Sequence, residues 1–272
     1  MWSRIKQQTS YGVFDLSDAD GRTVDTRQTF KPDPKLFWLV VKLGLLAWVI
    51  QTVAFSILAI DTPSFWIAYL TNWSVVLVLV YFVGSFLMVA GVIPISSSQN
   101  HEQQQQNANI WMKTTWFFYT VSINLSLLST ILFWILVYDP TVPLRYDHVM
   151  NHGGTLILII IDGMVINRIP IRLRQLVWVE AVSLCYLLWN IIQQYSSIEN
   201  PNRDDDDTVA LYDSLDFKKN AGAAVILCVL LILLAIPALF ILLMLFSSMF
   251  KTRYVRADDE DKPRVVFDEE VN

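Results

Sequence analysis

Residues Gly222–Phe250 have the sequence GAAVILCVLLILLAIPALFILLMLFSSMF, which contains no charged side chain. A helix crosses the hydrocarbon core of a bilayer, about 30 Å thick, with roughly 20 residues, so this stretch is long enough to span a membrane. Five other apolar stretches precede it. The six predicted spans are Leu36–Ile60, Phe65–Ile93, Ile110–Tyr138, His152–Ile169, Leu173–Tyr195 and Gly222–Phe250. The sequence therefore predicts an all-α, polytopic membrane protein built as a bundle of six transmembrane helices.

The composition of the chain supports this prediction. Of its 272 residues 54% are hydrophobic and 17% are charged, whereas soluble domains carry about 25% charged residues. A β-barrel would show short segments of alternating polarity instead of long apolar runs. We therefore predict a cytoplasmic N-terminal segment at Met1–Lys35, a six-helix transmembrane domain at Leu36–Phe250, and a cytoplasmic C-terminal tail at Lys251–Asn272.

The distribution of basic residues predicts the orientation. About ten Lys and Arg residues near the spans lie on the side of the two termini and about four on the other side, so the positive-inside rule places both termini in the cytoplasm. The segments Asp61–Ser64, Asp139–Asn151 and Asp204–Asp207 are then exoplasmic. The N-terminal segment is polar and basic before its first apolar run, unlike a cleaved signal peptide. We expect a plasma-membrane or endomembrane protein.

The segments between the spans carry no recognisable soluble activity. Ser96–Asn109, with four consecutive glutamines, is predicted to be a flexible cytoplasmic loop, and Asp204–Asp207 a solvated loop without the ligand spacing of a calcium site. Cys185 and Cys228 lie in apolar runs and are expected to pack as small residues. Phosphate-binding loops, hydrolase elbows, zinc motifs and basic-aromatic nucleic-acid surfaces are absent from the sequence. We therefore expect no cofactor, no metal and no nucleic-acid partner.

Polar residues within the spans are the functional candidates, because polarity is costly in lipid. Thr71 and His152 both lie near the exoplasmic ends of their helices, so they are expected to share a leaflet. Asp162 is expected to face the bundle interior with a polar partner. Each also has a structural interpretation, such as a Thr hydroxyl bonding to the i−4 carbonyl or a polar side chain joining two helices. The full set is Thr71, Asn72, Asn124, His152, Thr155, Asp162, Glu180 and Asn190.

Three short motifs give the chain a family resemblance. They are Tyr-Leu-Thr-Asn-Trp at Tyr69–Trp73, Asn-His-Gly at 151–153, and Leu-Tyr-Asp-Ser-Leu-Asp-Phe at Leu211–Phe217. Together they resemble the six-span superfamily of the androgen-induced membrane hydrolases and, more closely in the first motif and in Asp162, the Rolling stone-like proteins. In the hydrolase branch the threonine and histidine of these motifs cleave fatty acid esters of hydroxy fatty acids. The resemblance thus implies Thr71 as nucleophile and His152 as base.

The resemblance also has a limit and an alternative. Thr155 stands where the hydrolase branch has a second histidine, and the acidic residue of that branch lies slightly further along than Asp162. Asn72 and Asn151 are expected to support the reaction by donating hydrogen bonds to developing negative charge, with Thr155 and Asp162 nearby. Rolling stone-like proteins, in contrast, are associated with cell fusion in muscle development and have no firmly attached chemistry.

Three classes of function follow. The first is a lipid-ester hydrolase with membrane lipids as its surroundings and a lipid ester as its substrate. The second is a non-catalytic membrane protein that acts through partners or in membrane fusion. The third, a transporter or proton pathway through Asp162, Glu180 and His152, is weaker because paired Gly/Pro-broken helices are missing and Pro237 is the only proline within a span. The sequence predicts no oligomeric state.

Overall fold

A computed structural model describes residues 22–24, 35–60, 62–92, 102–141, 143–196, 198, 209–250 and 254–256. It contains six helices that are long and apolar enough to cross a membrane, which confirms the predicted fold class. They are α1 (Lys35–Leu58), α2 (Leu70–Ala90), α3 (Ile110–Val137), α4 (Tyr146–Ile166), α5 (Leu173–Tyr195) and α6 (Ala221–Ser247).

Two helix starts differ from the sequence prediction. Pro63–Ala68 forms a separate 3-10 helix, and the extended residue Tyr69 divides it from α2, which begins at Leu70 instead of Phe65. The fourth helix begins at Tyr146, so His152 lies inside it and does not open it as predicted. Hydropathy locates where a segment becomes apolar, and a polar first turn such as that of α4 therefore escapes it.

The predicted loop Ser96–Asn109 is wrong for the part that the structure describes. An α-helix runs without interruption from Glu102 to Leu132, so Gln103–Gln106 form its first turns ahead of the predicted span. Glutamine is a good helix former, and a helix does not have to end where the hydrocarbon ends. Residues 93–101 and the acidic stretch Asp204–Asp207 lie outside the described residues.

Three of the long helices contain π-helical turns, which add a residue to a turn and often occur at functional sites. The helix α4 has two of them, Met150–Gly154 and Ile161–Ile166, separated by the α-helical residues Thr155–Ile160. The helix α3 ends in one at Phe133–Val137, and α6 contains one at Leu231–Ala235. Both π turns of α4 carry predicted site residues: the first holds Asn151 and His152, and the second holds Asp162.

The helices are unequally buried. Half of the α3 span is buried inside the protein, against 17% of α1 and 11% of α6. The helices α2, α3 and α4 therefore form the centre, and α1 and α6 present most of their surface to lipid.

The two ends of the bundle differ. The end where α2, α4 and α6 begin, called the loop end below, carries the connections 59–69, 138–145 and 196–220. Two three-residue strands, β1 (Arg22–Val24) and β2 (Tyr254–Arg256), pair antiparallel before α1 and after α6. An even number of spans places the two flanking segments at the same side of the bundle, and the strand pair shows that they meet there.

Candidate functional site

A cavity of about 1090 Å³ opens at the loop end of the bundle. Its wall includes the start of α2, the last turns of α3, the first turns of α4 and the segment 209–220 that precedes α6. Four of the six predicted site residues line it: Thr71, Asn72, Asn151 and His152. The other two, Thr155 and Asp162, are not part of this wall. The structure therefore divides the predicted site into two regions.

Thr71 presents a hydroxyl that makes no hydrogen bond within the described residues. Most membrane threonines donate to the carbonyl four residues earlier, as Thr52 does to Trp48 at 3.0 Å. At Thr71 that carbonyl belongs to Ile67 in the 3-10 helix, and it accepts instead from Trp73 Nε1 at 2.7 Å. Because α2 starts only at Leu70, the usual acceptor is not positioned for Thr71. Its hydroxyl is left on the cavity wall.

Asn72, the next residue, has a structural partner. Its side-chain Nδ2 donates to the backbone carbonyl of Trp66, and Trp66 Nε1 in turn donates to Ser56 Oγ at 2.9 Å. Asn72 thus fixes the 3-10 helix Pro63–Ala68 against the start of α2. One of its two amide N–H groups is thereby engaged, so only the other could donate to a reacting carbonyl.

His152 lies in the first π turn of α4 with its ring stacked on Phe133, the ring centroids 3.7 Å apart and the planes within 3°. Its Nδ1 is buried and has no hydrogen-bond partner within the described part of the chain. Thr71 and His152 make no hydrogen bond to each other there. The cavity is therefore lined by both a hydroxyl and an imidazole, which are not hydrogen-bonded to each other.

Asn151 is 7% exposed, and its Oδ1 is also buried without a partner in the region that the structure describes. Its backbone carbonyl accepts a hydrogen bond from Thr155 Oγ1 at 3.1 Å. Thr155 is thus a fully buried threonine with the ordinary i−4 bond. This bond stabilises the π turn Met150–Gly154. The Asn151 amide remains for a ligand.

Asp162 lies at a second polar cluster, called the Asp162 centre below, and it faces the bundle interior as predicted. Its carboxylate accepts hydrogen bonds from Lys42 Nζ, from Tyr81 Oη at 2.7 Å, from Asn167 Nδ2 at 3.1 Å and from Ser85 Oγ at 3.3 Å. Lys42 Nζ also donates to Asn167 Oδ1 at 2.9 Å. The side chains of Lys42 and Asp162 are both 0% exposed and form an ion pair. The cluster joins α1 and α2 to α4.

Sequence reasoning missed Lys42, although the signal was present. It is the only charged residue between Leu36 and Ile60, and a lone ionisable residue in a span calls for a partner by the same argument that singled out Asp162. Tyr81 gave no such signal, because a tyrosine within a span is ordinary.

Gly163 belongs to the same region for a steric reason. A Cβ atom at Gly163 would lie 1.9 Å from Cε2 of Tyr119, so the Tyr119 ring of α3 covers this position closely. The Tyr119 hydroxyl is buried with no hydrogen-bond partner among the described residues. Glycine at 163 therefore allows α3 to approach α4 beside the carboxylate.

The segment 209–220 closes one side of the cavity and is fastened to α5. Gln194 Nε2 donates to the Leu215 carbonyl at 2.7 Å, and Phe217 N donates to Gln194 Oε1 at 2.9 Å. The Tyr212 hydroxyl accepts from Leu70 N at 3.3 Å and so joins the segment to the start of α2. Burial raises the pKa of Tyr212, so its hydroxyl stays neutral at physiological pH. The third sequence motif is thus a wall of the cavity.

The remaining polar candidates lie apart from both clusters. Asn124 donates to the Thr120 carbonyl at 2.8 Å and Asn190 accepts from Gln194 at 2.7 Å, which are structural roles. Glu180 is half-buried, and its Oε2 has no partner in the described part of the protein. No group of three His, Cys, Asp or Glu side chains within the described ranges is arranged to hold a metal ion.

These features define a multi-pass membrane protein whose six-helix bundle contains a polar-walled cavity at one end and a separate buried ion pair. The family model described as "Protein rolling stone" matches residues 26–258. The chain belongs to the Rolling stone family, which confirms that part of the resemblance. A search of curated proteins found no match, and no solved structure matches.

Proposed function

We propose that the protein is a membrane lipid-ester hydrolase in which Thr71 is the nucleophile and His152 the general base. The observation that carries the proposal is the position of the Thr71 hydroxyl, which lines the same cavity as the His152 imidazole and has no hydrogen bond of its own within the described residues. Fatty acid esters of hydroxy fatty acids, or lipids like them, are the proposed substrates.

The proposed reaction has two acyl-transfer steps. His152 accepts the Thr71 hydroxyl proton as the oxygen attacks the ester carbonyl, and the imidazolium then gives this proton to the departing alcohol as the ester C–O bond breaks. Water, deprotonated by the same imidazole, next cleaves the acyl-threonine ester, and the proton returns to the threonine oxygen. A neutral threonine is a weak nucleophile, so this chemistry requires the base.

Substrate binding has to bring the two groups together. Proton transfer needs a donor and acceptor about 2.6–3.2 Å apart, a geometry that often tightens only in the complex with substrate. Asn151 is the proposed donor to the negative charge on the carbonyl oxygen, since one N–H of the Asn72 amide is bound to Trp66. The loop end lies at a membrane surface, where acyl chains enter from lipid and water reaches the carbonyl.

A second function has its own supporting observation. Thr71 and His152 are not hydrogen-bonded to each other, and the buried His152 Nδ1 has no carboxylate to orient it within the described residues. Catalytic imidazoles are usually oriented by such a third group. The alternative is a non-catalytic Rolling stone-like protein that acts through partners or in cell fusion, with the cavity as a ligand site.

Turnover by purified protein distinguishes these two functions. Wild-type protein in nanodiscs should hydrolyse a fatty acid ester of a hydroxy fatty acid and react at Thr71 with a fluorophosphonate probe. Thr71→Ala and His152→Ala should each abolish both signals, and Thr71→Ser should retain part of the turnover. Thr130→Ala is the matched control, because Thr130 donates to Ser126 at 2.6 Å and does not line the cavity. Folded wild-type protein without turnover or labelling would leave the non-catalytic alternative.

We also propose the orientation predicted from the basic residues, with both termini and the segments 1–35 and 251–272 in the cytoplasm of cells whose plasma membrane or endomembranes contain the protein. The loop-end cavity then opens to the exoplasmic side. Protease added outside sealed right-side-out vesicles should spare tags at both termini. Removal of either tag would reverse the orientation and place the cavity on the cytoplasmic side.

A further inference from the structure

The loop-end cavity extends from a charged mouth into an apolar depth. Its mouth contains Arg145, Asp147, Asp213 and Lys219. Its deep wall is mostly aliphatic, although Ser129 and Ser183 also belong to it. The aliphatic side chains come from three helices: Leu128 of α3, Leu187 of α5, and Leu227, Leu231, Ile232 and Ile236 of α6. A cavity with one charged end and one apolar end matches an amphipathic ligand.

The length of the cavity along α6 is comparable to the acyl chains of one bilayer leaflet. Ile236 is fifteen residues beyond Ala221, the first residue of α6, so it lies roughly 20 Å along the helix from the loop end. One leaflet of a bilayer's hydrocarbon core, filled by long acyl chains, is about 15 Å thick. The apolar wall of α6 itself, from Leu227 to Ile236, covers nine residues or roughly 14 Å, so it is about as long as the acyl chains of one leaflet.

Neighbouring residues of α6 face either the cavity or the lipid. Ile236 is 4% exposed and lines the cavity, whereas Leu233 and Leu234 are 72% and 64% exposed. The cavity-lining positions 227, 231, 232 and 236 follow the spacing of one helix face through the π turn Leu231–Ala235. One face of α6 thus lines the cavity, and the other meets the bilayer.

We propose that this apolar part of the cavity, between α3, α5 and α6, binds one long acyl chain with its methyl end at Ile236, which sets the chain length that the protein accepts. The binding site itself requires no catalysis. Only its use in turnover rests on the proposed hydrolase function, in which the ester carbonyl would lie nearer the mouth, beside Thr71.

Competition binding tests the proposal without turnover. Protein carrying Thr71→Ala binds tritiated palmitate in detergent, and saturated fatty acids of 10, 14, 16 and 18 carbons compete. Adding Ile236→Trp should fill the deep end and weaken palmitate binding by about tenfold or more, while decanoate binding stays unchanged. Leu234→Trp, on the lipid-facing side of the same helix, should change neither.

A second variant guards against misfolding of the first. Ile236→Ala enlarges the deep end and should shift the preference toward 18 carbons relative to 14. Equal effects on all chain lengths in both Ile236 variants, or no palmitate binding by folded protein, would overturn the proposal. Chain-length shifts in a protein that cleaves no ester would sustain it and remove the hydrolase function. Ester cleavage by variants with unaltered chain-length preference would sustain the hydrolase function and overturn the acyl-chain site.

Discussion

The loop-end cavity and the Asp162 centre both collect polar side chains inside an apolar bundle, yet they satisfy them differently. At the Asp162 centre both carboxylate oxygens accept hydrogen bonds, and the Lys42 ammonium donates to two residues. At the cavity the Thr71 hydroxyl, His152 Nδ1 and Asn151 Oδ1 have no partner within the described residues. A buried polar group without a partner costs about 1–3 kcal/mol. The side chains that bond to Asp162 are satisfied by one another without a ligand, whereas the cavity has polar groups left for one.

The difference assigns separate tasks to the two halves of the bundle. The helix α1 is largely exposed to lipid, and the buried Lys42 attaches it to α4 through Asp162. Such an attachment fixes the position of α1. Ser56 in its last turn and the following residues Ala59 and Ile60 contribute to the cavity wall. The Asp162 centre is thus a structural support for the loop-end cavity.

The largest expected effect is the loss of one member of the buried ion pair. Asp162→Leu or Lys42→Met leaves a buried charge without its partner and should destabilise the protein by about 3–5 kcal/mol. Thermal unfolding followed by size-exclusion chromatography in detergent measures this loss. The double variant should be more stable than either single one, because neither charge then remains unpaired. A double variant as unstable as the sum of the two would show that the pair is not coupled.

The matched control is an ion pair in contact with water. Arg145 Nε lies 3.0 Å from Asp147 Oδ1, and the Arg145 side chain is 51% exposed. Arg145→Met should lower the free energy of unfolding by about 1 kcal/mol or less, since exposed ion pairs contribute little to stability.

The second prediction concerns the close contact of α3 and α4 beside the Asp162 centre. Gly163→Ala places a methyl group against the Tyr119 ring, and the rearrangement should cost about 1–3 kcal/mol in thermal unfolding. Gly44→Ala in α1, where a Cβ would meet no atom within 4 Å, is the control and should be neutral or slightly stabilising. Equal melting temperatures for both variants would mean that the Tyr119 ring moves aside without cost.

The sequence predicted the Asp162 centre better than the loop-end cavity, because the cost of a charge in lipid depends on residue type alone. A carboxylate in lipid must be buried and paired, so the inward direction of Asp162 followed from its residue type alone. The same rule applied to Lys42 would have supplied the partner. Tyr81 and Asn167 could not be assigned, because whether they reach the carboxylate depends on how the helices pack.

The cavity depends on local backbone geometry that hydropathy does not register. The 3-10 helix Pro63–Ala68, most of which was predicted as part of the second span, leaves the Thr71 hydroxyl without a hydrogen bond among the described residues. It also binds one N–H of the Asn72 amide. The position of His152 within α4 results from a polar first turn at Tyr146 that carried no apolar signal. Motif and leaflet depth selected Thr71 and His152, but only the structure could show that no hydrogen bond joins them.

The third prediction separates stability from function at the cavity. Thr71→Val removes a hydroxyl that bonds to no described residue, so the free energy of unfolding should change by no more than about 0.5 kcal/mol. The melting temperature should therefore shift little. Ester turnover should nevertheless disappear if Thr71 is the nucleophile. Thr155→Val, which breaks a hydrogen bond to Asn151, is the control and should lower the melting temperature more than Thr71→Val does. The opposite order would assign Thr71 to packing.

The fourth prediction concerns Tyr212, where the cavity wall meets the start of α2, and the effect of pH on its contribution. Its hydroxyl accepts a long hydrogen bond, 3.3 Å from Leu70 N, and interacts with the Tyr186 hydroxyl, so Tyr212→Phe should destabilise the protein by about 0.5–1.5 kcal/mol at pH 7. Burial raises the pKa of Tyr212 above its ordinary value of 10.0, so the folded state holds this proton more tightly than the unfolded state. The contribution of Tyr212 is therefore complete below pH 10 and is lost as the pH rises above it. Melting curves of both proteins between pH 6 and 9 should remain parallel, and Tyr146→Phe, at a half-exposed tyrosine, should match the wild type. A gap between the Tyr212 variant and the wild type that changes within this range would mean that Tyr212 ionises at a lower pH than its burial implies.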